Sequence, residues 1–337
     1  MEPMNEERFL FELSGEHPTL PSAELRACLD MLCEPNTTQE GEGYSICSIP
    51  PSRIPWVIWR LALTHRAGRY LGSSPFEKAR GFSERLVLPE GTISVRVKRF
   101  RGYGSPEQAN AAMRAVGKGV SKSRMVNLTD PDIKLRVILS DRLHFFLDEY
   151  QVDRNQYERR HVRDRPFFSP VSLHPRYARA LVNLTRVREE HSLLDPFCGT
   201  GGILLEASLV GARVIGSDIS EVMIEGCRRN LEHFGASYER LEVLDIEDVA
   251  EAFGEVGAVA TDPPYGRSAS TRKEPAKALH DRGLEAIRKV LAPGGAAGIV
   301  LPYACQPRSG LELLESHRQR VHRSLDRHYC LFKSRVS

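Results

Sequence analysis

Leu193-Leu194-Asp195-Pro196-Phe197-Cys198-Gly199-Thr200-Gly201-Gly202 joins a short apolar run to a helical one. Gly199 and Gly201 let the backbone turn tightly and approach a ligand closely. In sheets of alternating strands and helices, ligands bind at the carboxyl ends of the strands, where this turn lies. The spacing is not G-x-G-x-x-G, which counts against a dinucleotide dehydrogenase. Outward from this turn the chain alternates. Helices are expected at 175–189, 201–210, 220–234 and 275–291, and strands at 192–196, 213–217, 240–245, 256–261 and 296–301. That alternation predicts an α/β fold with a doubly wound, mostly parallel sheet.

Three further strand ends carry chemistry. Asp218 closes Val214-Ile215-Gly216-Ser217-Asp218-Ile219, a placement that suits ribose hydroxyls, although a lone Asp there also reads as a helix cap. Asp245, in Val243-Leu244-Asp245-Ile246, suits an adenine amino group. Thr261-Asp262-Pro263-Pro264-Tyr265-Gly266 follows the strand at 256–261. Its prolines fix two φ angles and remove two backbone donors. Carbonyls near Asp262 and Pro263 are then available, with the carboxylate, to grip both hydrogens of a planar amine. The Tyr265 ring offers a face for base stacking, worth roughly 1–3 kcal/mol. Each feature alone reads as a turn or a cap, but their order at successive strand ends makes one site.

The net charge of +3 conceals a split along the chain. Residues 1–52 hold two basic and ten acidic side chains, residues 53–168 hold 23 and 12, and residues 169–337 balance. A concentrated positive field is a footprint for nucleic acid, and a solvated basic face is the bland alternative. Strands are expected at 8–13, 43–49, 92–100, 124–128, 134–140 and 142–148, and helices at 56–71 and 106–118. In the strand at 92–100, Val95 and Val97 face one way and Arg96 and Lys98 the other. Residues 153–168, polar and Arg-rich, read as an interdomain linker.

No run approaches the roughly 18 apolar residues of a membrane span, and the acidic start has no signal-peptide pattern. Seven cysteines without a C-x-x-C pair argue against a disulfide framework or a metal site and suit a cytoplasmic protein. Cys28 and Cys33 lie five residues apart, close enough to bridge if the geometry allows.

With D-P-F-C-G-T-G-G, Asp218, Asp245 and D-P-P-Y in this order, the chain resembles Rossmann-like S-adenosylmethionine-dependent amino-methyltransferases. The run Arg165–Pro175 (R-P-F-F-S-P-V-S-L-H-P) and the form D-P-P-Y-G-R-S-A narrow the resemblance to the tRNA guanine-N2 methyltransferases of position 10. That resemblance implies an N-terminal ferredoxin-like region (1–85), a THUMP-like RNA-binding domain (86–152), the linker (153–168) and a methyltransferase domain (169–337). It implies S-adenosylmethionine held by Asp195, Pro196, Gly199, Thr200, Gly201, Asp218, Ile219, Asp245 and Ile246. Asp262, Pro263, Pro264 and Tyr265 would act on the target amine. Phe168, Pro170, His174 and Arg267 would border the substrate, although a His such as His174 is more often packed structure. The partner implied is tRNA, bound by the basic middle, with a monomer expected and a helper subunit left open. Alternatives are N2-guanosine methylation elsewhere in tRNA or rRNA, a DNA amino-methyltransferase, or a non-catalytic RNA-binding protein. Intact Asp262, Gly199 and Asp218 argue against the last, and the absence of a Pro-Cys pair argues against a cysteine-nucleophile base methyltransferase.

Overall fold

A computed structural model describes residues 7–32, 38–169, 172–265, 274–323 and 325–335. The chain forms two compact units, residues 1–153 and 154–337.

The first unit contains strands β1 (Glu7–Leu13), β2 (Thr38–Gly41), β3 (Tyr44–Ile49), β4 (Thr64–Ser74), β5 (Ile93–Arg99), β6 (Ile133–Leu139), β7 (Leu143–Leu147) and β8 (Tyr150–Gln151). Its helices are α1 (Leu20–Asp30), α2 (Ile54–Arg60), α3 (Ala79–Ser83) and α4 (Pro106–Val120). The sheet order is β2-β3-β1-β4-β7-β6-β5, with β8 on β4. β4 pairs with β1 through its first half and with β7 through its second, so one sheet runs through both expected N-terminal modules. The alternation of β5 is as read: Val95 joins the core under α4, while Arg96 is exposed.

The expected helix at 56–71 is corrected. α2 ends at Arg60, and the chain continues as β4. The buried Glu24 carboxylate accepts hydrogen bonds from the amides of Ala62 (3.0 Å) and Leu63 (2.8 Å), which captures the backbone just past the helix. Gly68 then passes against the Leu147 carbonyl oxygen, where a Cβ would lie 1.5 Å from it. Tertiary partners outweigh the helical spacing. The strand expected at 124–128 is also absent, since only Val126 bridges, to Ile93.

The acidic head acquires a structural role. Glu12 on β1, buried, pairs with Lys98 on β5 and Arg136 on β6. Arg66 and Arg136 share Asp148, and Arg69 pairs with Glu149. Among the described residues, Arg96, Arg101, Arg114, Lys118, Lys134 and Arg142 are exposed without an ion-pair partner.

The second unit contains β9 (Ser192–Asp195), β10 (Arg213–Asp218), β11 (Arg240–Val243), β12 (Val256–Thr261), β13 (Leu291–Leu301), β14 (Leu311–His322) and β15 (Leu325–Ser334). Its helices are α5 (Asn155–Glu158), α6 (Pro175–Leu184), α7 (Gly202–Ser208), α8 (Glu221–His233), α9 (Val249–Phe253) and α10 (Ala276–Val290). The sheet order is β11-β10-β9-β12-β13-β15-β14. β9 to β13 are mutually parallel, and the β14–β15 hairpin adds antiparallel to β13. The mixed, mostly parallel sheet is therefore as expected. Strand order reverses on either side of β9, which creates a crevice at the carboxyl ends of β9, β10 and β12. Leu194, Val259, Ile287, Ile299 and Phe332 are among the side chains of the core on one face.

Residues 154–168 belong to this unit and are not a free linker. Tyr157, Arg160 and Arg165 are buried. Arg160 donates to both oxygens of the buried Glu206 on α7 (2.8 and 3.1 Å), and Arg179 pairs with the same carboxylate at 2.9 Å. Charges of a segment that reads as a linker are thus neutralised inside the fold, where buried ion pairs need this close geometry.

Cys305, after β13, and Cys330 on β15 lie side by side, with Cα atoms 6.4 Å apart. They are 25 residues apart in sequence, and hairpin register rather than motif spacing brings them together. Cys28 is buried and free, and Cys33 lies outside the described residues. No helix among the described residues is long and apolar enough to cross a membrane.

Candidate active site

The glycine turn follows β9. Gly199 and Gly201 have φ of +49° and +78°, and Gly201 opens α7. A Cβ on Gly201 would lie 2.6 Å from Cys227 Sγ, so conformation and space both require glycine there. Gly199 borders open space, which leaves a ligand room to approach the backbone. Asn230, buried on α8, ties this turn down. Its Nδ2 donates to the carbonyls of Thr200 (2.9 Å) and Phe167 (3.0 Å), and its Oδ1 accepts from the Phe167 amide (2.9 Å). Thr200 also contacts Ser172 at 3.3 Å.

Asp218 ends β10. Its carboxylate accepts from the Gly199 amide (3.1 Å) and the Ser220 amide (2.9 Å). Asp195, wholly buried, accepts from the Thr261 hydroxyl at 2.6 Å and the Phe197 amide at 3.2 Å. Burial raises its carboxyl to about 7 against those two hydrogen bonds, with Asp262 and Asp218 adding to the rise. Burial also raises Asp218 above the usual carboxylate range.

Asp262, Pro263, Pro264 and Tyr265 follow β12, one strand over. The Tyr265 hydroxyl donates to Asp262 Oδ1. Among the described residues no second hydrogen bond reaches this carboxylate, which leaves Oδ2 with capacity to accept one. Burial raises Asp262 to about 6, opposed by Arg327 and Tyr265. The Pro264 carbonyl accepts from His280 Nε2 at 2.9 Å, and His280 Nδ1 lies 3.0 Å from the Tyr303 hydroxyl. A carbonyl only accepts, so the proton is on Nε2 and Nδ1 receives the phenol. Burial lowers the His280 pKa and favours this neutral form. The proline turn is thus clamped from α10 at the Pro264 carbonyl.

The remaining expected residues divide. Pro196 is buried and Ile219 half-exposed beside the turn. Ile246 is buried in the apolar core. Asp245 is held by Arg282 of α10, which also pairs with Glu247 and Glu274. Phe168 is exposed. His174 caps α6, its Nδ1 accepting the Arg176 amide at 3.2 Å, with its ring against His161. The structure gives His174 a capping role on α6. Pro170 and Arg267 lie outside the described residues. Asn230, His280, Arg282 and Arg327 were not anticipated. No local motif marks any of them.

The cradle suits an adenosyl cofactor. An open glycine turn faces an acid at the end of the next strand, and that acid is already oriented by two backbone amides. The comparisons agree. A family model described as an RMKL-like methyltransferase domain matches residues 162–324. The tRNA (guanine(10)-N2)-dimethyltransferase of Methanothermobacter thermautotrophicus is 33% identical over 324 residues, covering 94% of this chain and 96% of that protein. The Pyrococcus abyssi protein of the same name is 33% identical over 339 residues, covering 97% and 100%. This chain belongs to the tRNA (guanine(10)-N2)-dimethyltransferase family. The fold of this family member resembles that of TrmN from Thermus thermophilus, with a TM-score of 0.58 and 22% identity over 97% of this chain and 99% of that one. As a methyltransferase of this family, it pairs the glycine turn with the D-P-P-Y turn across one crevice.

Proposed function

We infer that this chain transfers a methyl group from S-adenosylmethionine to the exocyclic amine of a guanosine in tRNA, at position 10 and through to the dimethylated base, as its relatives' names have it. The observation that carries this reading is the Asp262 turn, with one carboxylate oxygen held by Tyr265 and the other with capacity to accept, beside the glycine cradle.

Asp195, Gly199, Gly201 and Asp218 would hold the cofactor, which supplies an electrophilic methyl when bound. The guanine amine is a poor nucleophile because its lone pair conjugates with the ring. Asp262 and the backbone carbonyls beside it accept its hydrogens and orient the lone pair, and orientation supplies much of the acceleration. With its carboxyl near 6, Asp262 is ionised at neutral pH and close enough in pKa to receive the proton as a general base. Tyr265 offers its ring to the base, which leaves its stack to enter the site. The unpaired cations of the first unit, in the region we take as ferredoxin-like and THUMP-like, bind tRNA phosphates. We take the enzyme as a monomer acting in the cytoplasm.

Nucleoside analysis of tRNA incubated with methyl-labelled cofactor, with fragment mapping, tests this reading. N2-methylated guanosine at position 10 is expected, and label on adenine or at another position would overturn it. Replacing Arg96, Lys134 and Arg142 with Gln should weaken tRNA binding and lower its salt slope by about one per lost phosphate contact.

A further inference from the structure

Asp245 stands beside the acid placed for ribose. Val243 is level with Asp218 in the parallel register of β10 and β11, and the Leu244 amide donates to the Asp218 carbonyl at 3.1 Å. Asp245 follows at the same carboxyl edge, one residue beyond that bond. Its Oδ1 accepts twice, from the Glu247 amide at 3.2 Å and from Arg282 Nη2 of α10. Both bonds fall on one oxygen, which leaves Oδ2 with capacity to accept a donor from a ligand.

Arg282 turns each of its three nitrogens to an acid. Beside Nη2 on Asp245, Nε donates to Glu247 and Nη1 to Glu274, both at 2.7 Å. One guanidinium thus gathers three carboxylates that repel one another without it. Glu247 is exposed, whereas Asp245 and Glu274 are half-buried. Among the described residues no other cation pairs with Asp245. The same helix carries His280, which holds the Pro264 carbonyl at 2.9 Å, so α10 braces both the reacting turn and the loop after β11. We propose that Arg282 is a positioning residue for cofactor recognition: from α10 it pins one oxygen of Asp245 and so aims the other at the exocyclic amine of the adenine. The proposal rests on the reading of the crevice as an S-adenosylmethionine site and deepens it, by naming what sets a preference for adenine over a 6-oxo purine. A carboxylate that rotates freely turns its lone pairs away from a donor, and a pinned one presents a fixed acceptor. A 6-oxo purine carries an acceptor where adenine carries a donor, so against a pinned carboxylate both oxygens go unpaired.

The test is calorimetric binding of S-adenosylhomocysteine and of its 6-oxo (inosine) analogue to the full chain, without tRNA. A parent that does not bind S-adenosylhomocysteine overturns the cofactor reading itself, a separate failure from those below. The parent should prefer the adenine ligand by about 10- to 100-fold, the effect of a hydrogen bond to a charged group. Asp245→Ala should lose that preference. If it keeps the preference, Asp245 is not the adenine acceptor and the proposal fails. Arg282→Gln should weaken the adenine ligand about tenfold and leave the 6-oxo ligand within about twofold, so that the preference shrinks. Its kcat/KM for cofactor should fall by the same factor, with the rate at saturating cofactor falling far less, the pattern of lost ground-state binding. A merely structural tie weakens both ligands equally, and that result overturns the proposal. Tighter adenine binding also overturns it, because Arg282 would then compete for Asp245. Adding Arg282→Gln to Asp245→Ala should cost little further adenine affinity, and additive losses would count against the pinning. Should Arg282→Gln not fold, Arg282→Lys takes its place, keeping the charge without the planar fork. A partial loss of preference then supports the proposal, and an unchanged preference overturns it.

Discussion

Asp195 and Asp262 end neighbouring parallel strands, and burial raises both carboxyls, to about 7 and about 6. Their partners differ. Asp195 is held by the Thr261 hydroxyl and the amide two residues on, both neutral. Asp262 accepts from a phenol on its own turn, and the charge of Arg327 opposes the rise that burial causes. Two acids of one type, one strand apart, thus take different tasks. In the function proposed above, one is an inner strut for the cradle and the other is an ionised acceptor for the target amine. Divergent environments around paired carboxyls are a general way to separate such roles.

The contrast can be broken at its chemical end first. Asp262→Ala should cost methyl transfer about 10²–10⁴-fold, the usual worth of a positioned acid or base. Its tRNA affinity, read by filter binding, should be nearly that of the parent. An equal loss in both would make Asp262 a docking residue.

Asp195→Asn tests the other side and acts on stability. The folded-state carboxyl stands above its unfolded value, so the unfolded chain gives up its proton first. The parent therefore loses stability as pH rises from about 4 to about 7, by an amount on the order of 1 kcal/mol per pH unit. Asparagine has no such dependence and can still accept from Thr261 and the Phe197 amide. Across that window the variant should gain on the parent in denaturant midpoint, and parallel pH profiles would contradict the assignment. Asn230→Ala sharpens the picture of the cradle. Leaving its buried backbone partners unmet should cost about 1–3 kcal/mol, seen as a lower Tm, with cofactor affinity falling while tRNA affinity stays near that of the parent.

These two strand ends also differ in how far they could be read from residues alone. The glycine turn was legible because its constraints are local, with a strand before it, a helix after it and positive φ at Gly199 and Gly201. The parallel order of β9 to β13 followed from helix–strand alternation. The helix expected over 56–71 failed where distant partners decide, since Glu24 catches the backbone and Leu147 crowds Gly68. The Arg-rich run at 154–165 reads as a linker because its counter-charge, Glu206, lies on α7 far along the chain. His280, Arg282 and Arg327 were invisible for the same reason. Each acts across the sheet edge on a group with which it shares no motif. The unexplained acidity of the head found part of its answer in Glu12, which binds the basic strands β5 and β6.

The position of β15 in the chain has a consequence for synthesis. Every recognisable motif of the site is complete once Tyr265 has been added, yet Arg327 follows about sixty residues later, several seconds at roughly 5–20 residues per second. Until then a nascent chain carries both turns without the β15 strand that pairs with β13. A prematurely terminated product would therefore display all the signatures of the family while lacking the last strands of its sheet. Motif content alone would not reveal the defect.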